Sequence, residues 1–324
     1  MAILLLLLGD IFSSSIQRTG ARRVVFEEIG QFTDGGMAVT ILVVSNLAYV
    51  CEFDNGLEIL DISDPKHVVK LCQVANTEQS RGVAMIDDIA FVSCNTNGLK
   101  LFNIGDPSKP AYLGQYDERD GDPHQFLAVG KIGYLTEWHG GVDIIDLSKP
   151  LKPKRLSQYK DGGFAFSIDI VGQHAFVTEY TSGLKILDIS DSQKPVLIGD
   201  HNNGGETNAL HVKDGKAYVC DKLQGLEILD VADPAHPRLL GTFEGGGSVV
   251  GVRFIDDYAL VIDWERGIEA IDIRNPSKPV RIGSFYDGGR PNGFQVVGDM
   301  IFLADGSDGL EIIRFRKEDA SFSR

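Results

Sequence analysis

The sequence predicts an all-β fold, a seven-bladed β-propeller with four antiparallel strands in each blade. The segment Gly183–Ser190 (Gly-Leu-Lys-Ile-Leu-Asp-Ile-Ser) has counterparts throughout the chain, and its glycine recurs at spacings of 42 or 43 residues. A fixed period of this length indicates one supersecondary unit repeated around an array. Between the glycines lie short Val-, Ile-, Leu- and aromatic-rich runs separated by Gly, Asp, Asn and Pro, as expected for strands joined by turns. The repeat glycines are Gly56, Gly98, Gly141, Gly183, Gly225, Gly267 and Gly309.

Each copy contains four predicted strands. In the fourth copy these are Phe166–Val171 (innermost), Ala175–Glu179, Gly183–Ser190 and Val196–Asp200. A proline follows the third strand in most copies, as at Pro65, where its fixed φ ends the ladder. One set of alternate positions in the innermost strand is always apolar, which indicates a face packed against a neighbouring blade. These positions are Ile41, Val83, Phe126, Ile168, Leu210, Val252 and Phe294.

The two ends of the chain are predicted to complete one blade together. The seventh copy ends at Gly309–Phe315 without a fourth strand, while Ile29–Gly36 matches Ile282–Gly289 position for position. We therefore expect an N-terminal strand, about Val24–Phe32, to close the last blade and remove an exposed edge. The predicted boundaries are an apolar tail at 1–23, the propeller at 24–316 and a C-terminal tail at 317–324.

Composition limits the partners and the compartment. With a net charge of −15, the chain repels phosphate backbones, so nucleic acids and anionic membranes are not expected partners. The apolar segment Met1–Leu8 is too short to span a bilayer, and without a preceding Lys or Arg it makes no convincing signal peptide. Such a tail is expected to pack on the propeller or to support oligomerisation. Cys51, Cys94 and Cys220 precede the repeat glycine in different copies and Cys72 lies on another strand, so free and mostly buried thiols are expected.

The repeated Gly-Leu-x-Ile-Leu-Asp-Ile-Ser, preceded by Ala-Tyr/Phe-Val, is similar to the LVIVD repeat family of bacterial and archaeal β-propellers. The similarity covers roughly Val24–Arg316. It implies a propeller fold. Because members of this family are mostly surface or secreted proteins, it also implies an extracytoplasmic or cell-surface location. The expected free cysteines favour a reducing compartment instead, so the location stays open.

A carboxylate or a cysteine lies four residues before each repeat glycine. The six carboxylates could form a ring that binds a divalent cation, since hard cations take several oxygen ligands. Alternatively, each could accept hydrogen bonds from backbone N–H groups of a neighbouring loop. We favour the second interpretation, and we predict no metal-ligating residues and no cofactor. The seven positions are Glu52, Cys94, Glu137, Glu179, Asp221, Asp263 and Asp305.

The innermost strand also contains positions that differ from copy to copy. At one such position, four successive copies have Asp169, His211, Arg253 and Gln295. The first three could move a proton and hold an anion, and His124 at the rim of the channel is a further catalytic candidate. The alternative is a buried polar network that fills the channel. The rim position contains Val39, Arg81, His124, Phe166, Asn208, Val250 and Asn292.

The loops between second and third strands contribute aromatic residues unevenly. Phe53, Trp138, Tyr180 and Trp264 occupy one repeat position, and His139 follows Trp138. Exposed aromatics beside carboxylates suit a sugar, a cationic ligand or a peptide, whereas the alternative is packing over the loop beneath. The third copy also has the longest inter-blade loop, so this sector is the favoured site. The predicted ligand-binding residues are Arg81, Glu137, Trp138, His139, Tyr180, Asn208, Trp264, Asn292 and Gln295.

Two functions are consistent with these residues. The first is a module that binds a small molecule, sugar or peptide on the loop-rich face and in the central pocket. The second is a hydrolase or lyase that uses Asp169, His211, Arg253 and His124. No Gly-x-Ser-x-Gly, His-Glu-x-x-His or phosphate-binding glycine motif occurs in the sequence. The binding module is therefore preferred.

Overall fold

A computed structural model describes residues 23–318 with the exception of residues 118, 119, 203 and 246. In this part of the chain, seven four-stranded antiparallel sheets follow one another. The innermost strand of each sheet packs against that of the next, and the last packs against the first, so the sheets form a closed ring. The predicted all-β, seven-bladed propeller is confirmed. Predictions about the tails before residue 23 and after residue 318 lie outside the described residues.

In chain order the strands are β1 (Arg23–Phe32), β2 (Ala38–Val44), β3 (Leu47–Glu52), β4 (Gly56–Asp61), β5 (Val69–Val74), β6 (Gly82–Ile86), β7 (Ile89–Ser93), β8 (Leu99–Asn103), β9 (Ala111–Tyr116), β10 (Asp122–Val129), β11 (Ile132–Trp138), β12 (Gly141–Asp146), β13 (Lys154–Tyr159), β14 (Ala165–Val171), β15 (His174–Glu179), β16 (Gly183–Asp188), β17 (Val196–His201), β18 (Thr207–Lys213), β19 (Lys216–Asp221), β20 (Gly225–Asp230), β21 (Arg238–Phe243), β22 (Val249–Ile255), β23 (Tyr258–Asp263), β24 (Gly267–Asp272), β25 (Val280–Phe285), β26 (Gly293–Val297), β27 (Met300–Ala304) and β28 (Leu310–Glu318). Asn95–Asn97 forms a short 3-10 helix. Blade 1 consists of β2–β5, and blades 2 to 6 follow in groups of four up to β25. Blade 7 combines β26, β27 and β28 with β1.

The closing blade joins the two ends of the described chain. Strand β1 pairs antiparallel with β28, with Phe32 opposite Leu310 and Arg23 opposite Glu318. The predicted closure is confirmed, and β28 is thereby paired on both sides, by β27 and by β1.

The core lies in the seams between blades, where the second and third strands are almost fully buried. In the seam between blades 1 and 2, for example, Leu57 and Ile59 pack with Ala90 and Val92. The repeat glycine recurs for a backbone reason. Gly183 has φ +77, and a Cβ there would lie 2.2 Å from the carbonyl oxygen of His201. Glycine adopts such a conformation without a steric penalty.

The predicted free and mostly buried thiols are confirmed. Cys51, Cys94 and Cys220 are free and buried, and Cys72 is free and half-buried. Within the described residues, no helix has the length and apolar character needed to cross a bilayer.

Candidate functional site

In five of the seven blades, irregular pairing at the start of the innermost strand leaves a residue unpaired at the channel. In β14, for example, the register shifts between Ala165 and Ser167, which leaves Phe166 unpaired. Asn208 in β18 and Val250 in β22 are left unpaired in the same way. Such bulges re-aim a side chain and increase the local twist. Five of the seven predicted rim residues lie at these bulges, whereas Arg81 and Asn292 directly precede the regular strands β6 and β26.

The central channel is a cavity of about 750 Å³ lined by the innermost strands of all seven blades. Asp169, His211, Arg253 and Gln295 all line it, as do His124 and Arg81 near its mouth. His211 Nδ1 lies 3.4 Å from Asp169 Oδ2, and the His211 side chain is 40% exposed. Burial lowers the pKa of His211 despite the nearby carboxylate, so its imidazole is neutral near pH 7.

Two of the predicted channel residues connect neighbouring blades. Asp169 Oδ2 accepts a hydrogen bond of 2.8 Å from the backbone N–H of Val212. Gln295 Oε1 accepts from the N–H of Val43 at 2.7 Å, and its Nε2 donates to the Val43 carbonyl. These bonds satisfy backbone groups on the channel edge of the next innermost strand, where no further strand is available. This arrangement matches the polar-network interpretation of the channel.

Arg253 also bonds within the channel wall. Its Nη1 donates to the carbonyl oxygen of Val252 at 2.7 Å, and its guanidinium lies 5.7 Å from the ring centroid of Phe294. Burial lowers the pKa of this guanidinium, with Asp169 among the groups that oppose the shift.

A second cavity of about 410 Å³, here called the aromatic cleft, opens beside the channel mouth over blades 2 to 5. It contains five of the residues predicted from the sequence. Its lining residues are Arg81, Asn95, Asp122, His124, Trp138, His139, Phe166, Tyr180 and Lys222.

The floor of the aromatic cleft is a set of contacting rings centred on Trp138. The ring centroid of Trp138 lies 5.6 Å from that of Tyr180 and 5.5 Å from that of Phe166. The ring of Phe164 stacks on that of Trp138, with the two centroids 4.9 Å apart. These separations are typical of favourable aromatic pairs, which hold one another in place. The floor is therefore a pre-formed apolar surface.

Cationic side chains border this floor. The Lys222 ammonium lies 5.0 Å from the Tyr180 centroid and 4.6 Å from the Trp264 centroid. The Arg81 guanidinium lies 5.2 Å from the Phe53 centroid, and the Arg290 guanidinium covers Trp264 from 4.1 Å. No described carboxylate lies within 4.0 Å of any of the three cations. Burial lowers the pKa of both Arg81 and Lys222, as expected for cations without close partners.

His124 stands between the channel and the aromatic cleft. Its ring centroid is 3.8 Å from that of Phe166. Burial, reinforced by the charge of Arg81, lowers the pKa of His124 to about 3. The imidazole is therefore neutral at physiological pH and can exchange hydrogen bonds without carrying a charge.

The predicted site residues divide into three groups. Arg81, His124, Trp138, His139 and Tyr180 meet in the aromatic cleft. The other channel-lining candidates are Asp169, Asn208, His211, Arg253, Trp264, Asn292 and Gln295. Glu137 is buried and lines neither cavity, and its Oε2 accepts hydrogen bonds from the backbone N–H groups of Asp120 and Gly121.

Sequence reasoning missed Lys222 and Asn95. Both occupy the repeat position of Trp138 and Tyr180, three residues before the repeat glycine. The selection of aromatic residues alone at that position excluded them. A comparison of every residue type at the position would have found both.

The predicted carboxylate ring does not gather into one shared site. Asp221 Oδ1 accepts hydrogen bonds from the N–H groups of Leu223 and Gln224, in its own blade. Among the described residues, acidic groups close enough to share an ion are Asp34 with Glu52 and Glu58, and Asp287 with Asp305 and Glu311. Each group contains one member of the ring. Carboxylates able to hold a cation therefore exist, but inside a blade and its adjoining loop.

A family model described as the LVIVD repeat matches residues 35–74, 79–118, 162–203, 204–244 and 246–287, more than half of the chain. The matched segments omit residues 119–161, which contain Trp138 and His139. No curated protein matches the chain.

Three solved structures illustrate the similarity of fold. Virginiamycin B lyase from Staphylococcus aureus aligns with a TM-score of 0.72 and 10% identity over 90% of this chain and 99% of that chain. The WD40 β-propeller domain of Doa1 gives 0.72 and 11% over 92% and 99%. The computationally designed Ika8 protein gives 0.67 and 12% over 89% and 99%. At these identities the similarity shows the fold alone.

Proposed function

The chain belongs to the LVIVD repeat family, and from the geometry of its loop-rich face we propose that it binds a small organic anion with a flat apolar body in the aromatic cleft. The observation that carries this proposal is the combination of an aromatic floor with bordering cations that have no close carboxylate partner. The flat body of the ligand stacks on Trp138 and Tyr180, and its anionic group faces Lys222 and Arg81.

Charge supports the anion over a cation. The chain has 46 acidic and 31 Lys or Arg residues, so a basic side chain normally has an acidic neighbour available. At the cleft, Asp122 and Glu206 contribute only longer-range attraction to Arg81 and Lys222. An anion entering the cleft would therefore gain charge-assisted contacts that the protein itself does not supply. A volume of about 410 Å³ lies in the range of small-molecule sites.

The test uses benzoate as the probe, with phenyl phosphate as a second anion and benzamide and benzylammonium as neutral and cationic analogues. Calorimetric titration is expected to give tighter binding of the two anions. Lys222→Met should weaken benzoate binding about tenfold, equivalent to about 1.4 kcal/mol. Lys216→Met, in the same blade but outside the cleft, is the matched control. Tighter binding of benzylammonium, or equal benzoate affinity in the two variants, would contradict the proposal.

A second candidate, a hydrolase or lyase, is favoured by one observation in the channel. The neutral imidazole of His211 lies beside Asp169 and is accessible from the cavity, as a general base requires. Virginiamycin B lyase has the same propeller fold, which is compatible with lyase chemistry on this architecture but carries no residue-level argument. If an activity is found, His211→Ala should lower its kcat at least 100-fold. Unchanged turnover would remove His211 from the chemistry.

A further inference from the structure

Three carboxylates lie together under the loop that leads into blade 7. One carboxylate oxygen from each of Asp287, Asp305 and Glu311 lies within 4.8 Å of the other two. Glu311 is fully buried, and neither of its carboxylate oxygens has a hydrogen-bond partner. Asp305 is also buried, and its Oδ1 has no partner either. Buried carboxylates are costly unless a positive group compensates them. The group therefore points to a cation.

Blade 1 has a closely similar group that contains its own cation. There Asp34, Glu52 and Glu58 cluster in the same way. The ammonium of Lys70 contacts Glu58 Oε1, lies 2.5 Å from Asp34 Oδ2 and lies 2.6 Å from Gln73 Oε1. In blade 1, a single positive group thus sits among oxygen atoms contributed by a loop and two strands.

The strand register identifies what blade 7 has at the position of Lys70. In blade 1, Lys70 is opposite Leu60, two residues after Glu58. In blade 7, Glu28 is opposite Ile313, two residues after Glu311. A fourth carboxylate therefore replaces the ammonium. The charge of Glu28 adds to the repulsion that Glu311 experiences.

An amide oxygen is available in the same place in both blades. Gln73 Nε2 donates to the carbonyl of Asn55, which leaves its Oε1 to contact Lys70. The counterpart in blade 7 is Gln31, whose Nε2 donates to the carbonyl of Asp308 at 3.2 Å. Blade 7 thus retains the oxygen-bearing side chains of the blade 1 site and lacks its ammonium.

The other blades also supply a basic side chain. Blades 3 and 6 place an arginine on the outer strand against a buried acid, the buried acid of blade 5 faces a histidine on the outer strand of blade 4, and blades 2 and 4 have a lysine at the position of Glu58. These residues are Arg155 beside Asp143, Arg281 beside Glu269, His201 beside Glu227, Lys100 and Lys185. Among the described residues, no basic side chain lies within 4.0 Å of the carboxylates of this group, which are Asp287, Asp305, Glu311 and Glu28.

We propose that blade 7 binds a calcium ion through Asp287, Asp305 and Glu311, in the place that the Lys70 ammonium takes in blade 1. Calcium accepts six to eight carboxylate, amide, carbonyl and water oxygens in flexible geometry, which suits a site of three carboxylates with Gln31 adjacent. Asp287 is exposed and gives the ion a path from solvent. Magnesium is less suited because it requires near-octahedral geometry and retains several waters.

The test uses the full chain after dialysis against EGTA. Calorimetric titration with calcium chloride is expected to show one ion bound per chain. Calcium at the concentration that saturates this titration should also raise the melting temperature. Glu311→Gln should weaken calcium binding at least tenfold. The matched control, Glu58→Gln, changes the counterpart in blade 1 and should leave calcium affinity unchanged. Titration with magnesium chloride should give weaker binding.

Glu28→Lys provides a second test at an exposed position, in case Glu311→Gln fails to fold. The substitution places a lysine at the blade 7 position that corresponds to Lys70. We therefore expect calcium no longer to raise the melting temperature, while the melting temperature measured without calcium is not lowered. The proposal is overturned if the wild-type chain binds no calcium, if it prefers magnesium, or if a folded variant of Glu311 or Glu28 binds calcium as the wild type does. None of these results bears on benzoate binding, so the two proposals stand or fall separately.

Discussion

Blades 1 and 7 share three acidic positions, but the outer-strand residue that corresponds to Lys70 of blade 1 is an acid in blade 7. Asp34, Glu52 and Glu58 in blade 1 correspond to Asp287, Asp305 and Glu311 in blade 7, while Lys70 corresponds to Glu28. The backbone register is the same in both blades, including a shift in the pairing of the outer strand. The repeat therefore determines where the buried carboxylates lie, whereas the positive group that compensates them differs from blade to blade.

The largest expected effect comes from removing the ammonium in blade 1. Lys70→Met leaves Glu58, 2% exposed, beside Asp34 without a cation. Removing one partner of a buried pair costs about 3–5 kcal/mol, and the partial exposure of Lys70 reduces our expectation to about 2–3 kcal/mol. Chemical denaturation in EGTA measures the loss. Lys109→Met, at an exposed turn in blade 2, is the control. Equal stability of the two variants would show that blade 1 does not depend on its lysine.

An intermediate effect is expected in blade 6, where the cation is more exposed. Arg281 Nη1 lies 2.6 Å from Glu269 Oε1, and the arginine side chain is 46% exposed while the glutamate is fully buried. Because water can replace part of the stabilisation that this arginine gives to the Glu269 carboxylate, Arg281→Met should lower the free energy of unfolding by about 1–2 kcal/mol, as measured with denaturant. Arg266→Met in the same blade controls for general surface effects. A loss larger than that of Lys70→Met would reverse the order that exposure predicts.

The smallest effect concerns blade 4 and depends on pH. Burial and the adjacent Asp161 raise the pKa of Glu179 to about 8, although Lys185 opposes the shift. Because the folded-state pKa exceeds the unfolded value of about 4.5, folding favours the protonated form. The stability it contributes is fully present below pH 4.5 and is lost as the pH rises toward 8.

Glu179→Gln remains neutral at every pH, so its stability relative to wild type should increase between pH 5.5 and pH 8.5. We expect an increase of about 1 kcal/mol, which is less than the free energy that corresponds to one pKa unit. Unfolding titrations at the two pH values measure it. Glu78→Gln, at an exposed position, should show no such trend. A parallel pH dependence in wild type and Glu179→Gln would show that Glu179 is charged in the fold.

The sequence allowed most of the fold to be predicted because a repeat carries its own register. The match between Ile29–Gly36 and Ile282–Gly289 was sufficient to predict the pairing of β1 with β28. Most rim residues were also identifiable, since in five blades a bulge recurs at the same repeat position.

The candidate site was less predictable because its contacts involve atoms that a repeat alignment does not reveal. Asp169 was selected as a catalytic acid or base, but its Oδ2 accepts from the backbone N–H of Val212 in the next blade. The ring considered from the sequence takes one carboxylate from each copy, at the position four residues before the repeat glycine. The groups that form instead combine that position with Glu58 or Glu311 and with a residue of the preceding loop.

Closure by β1 also affects how the ring is made. Arg23 pairs with Glu318, so the early strand has no partner until nearly the whole described chain has been synthesised. Val24 and Phe26 meanwhile lack the apolar cluster between blades 6 and 7 that they join in the finished ring. At high concentration, the β1 of one molecule can enter the open blade of another and make the same contacts there. Such strand exchange produces a domain-swapped dimer without any new interface. Because it requires two incomplete molecules to meet, a slow supply of newly synthesised chains should suppress it.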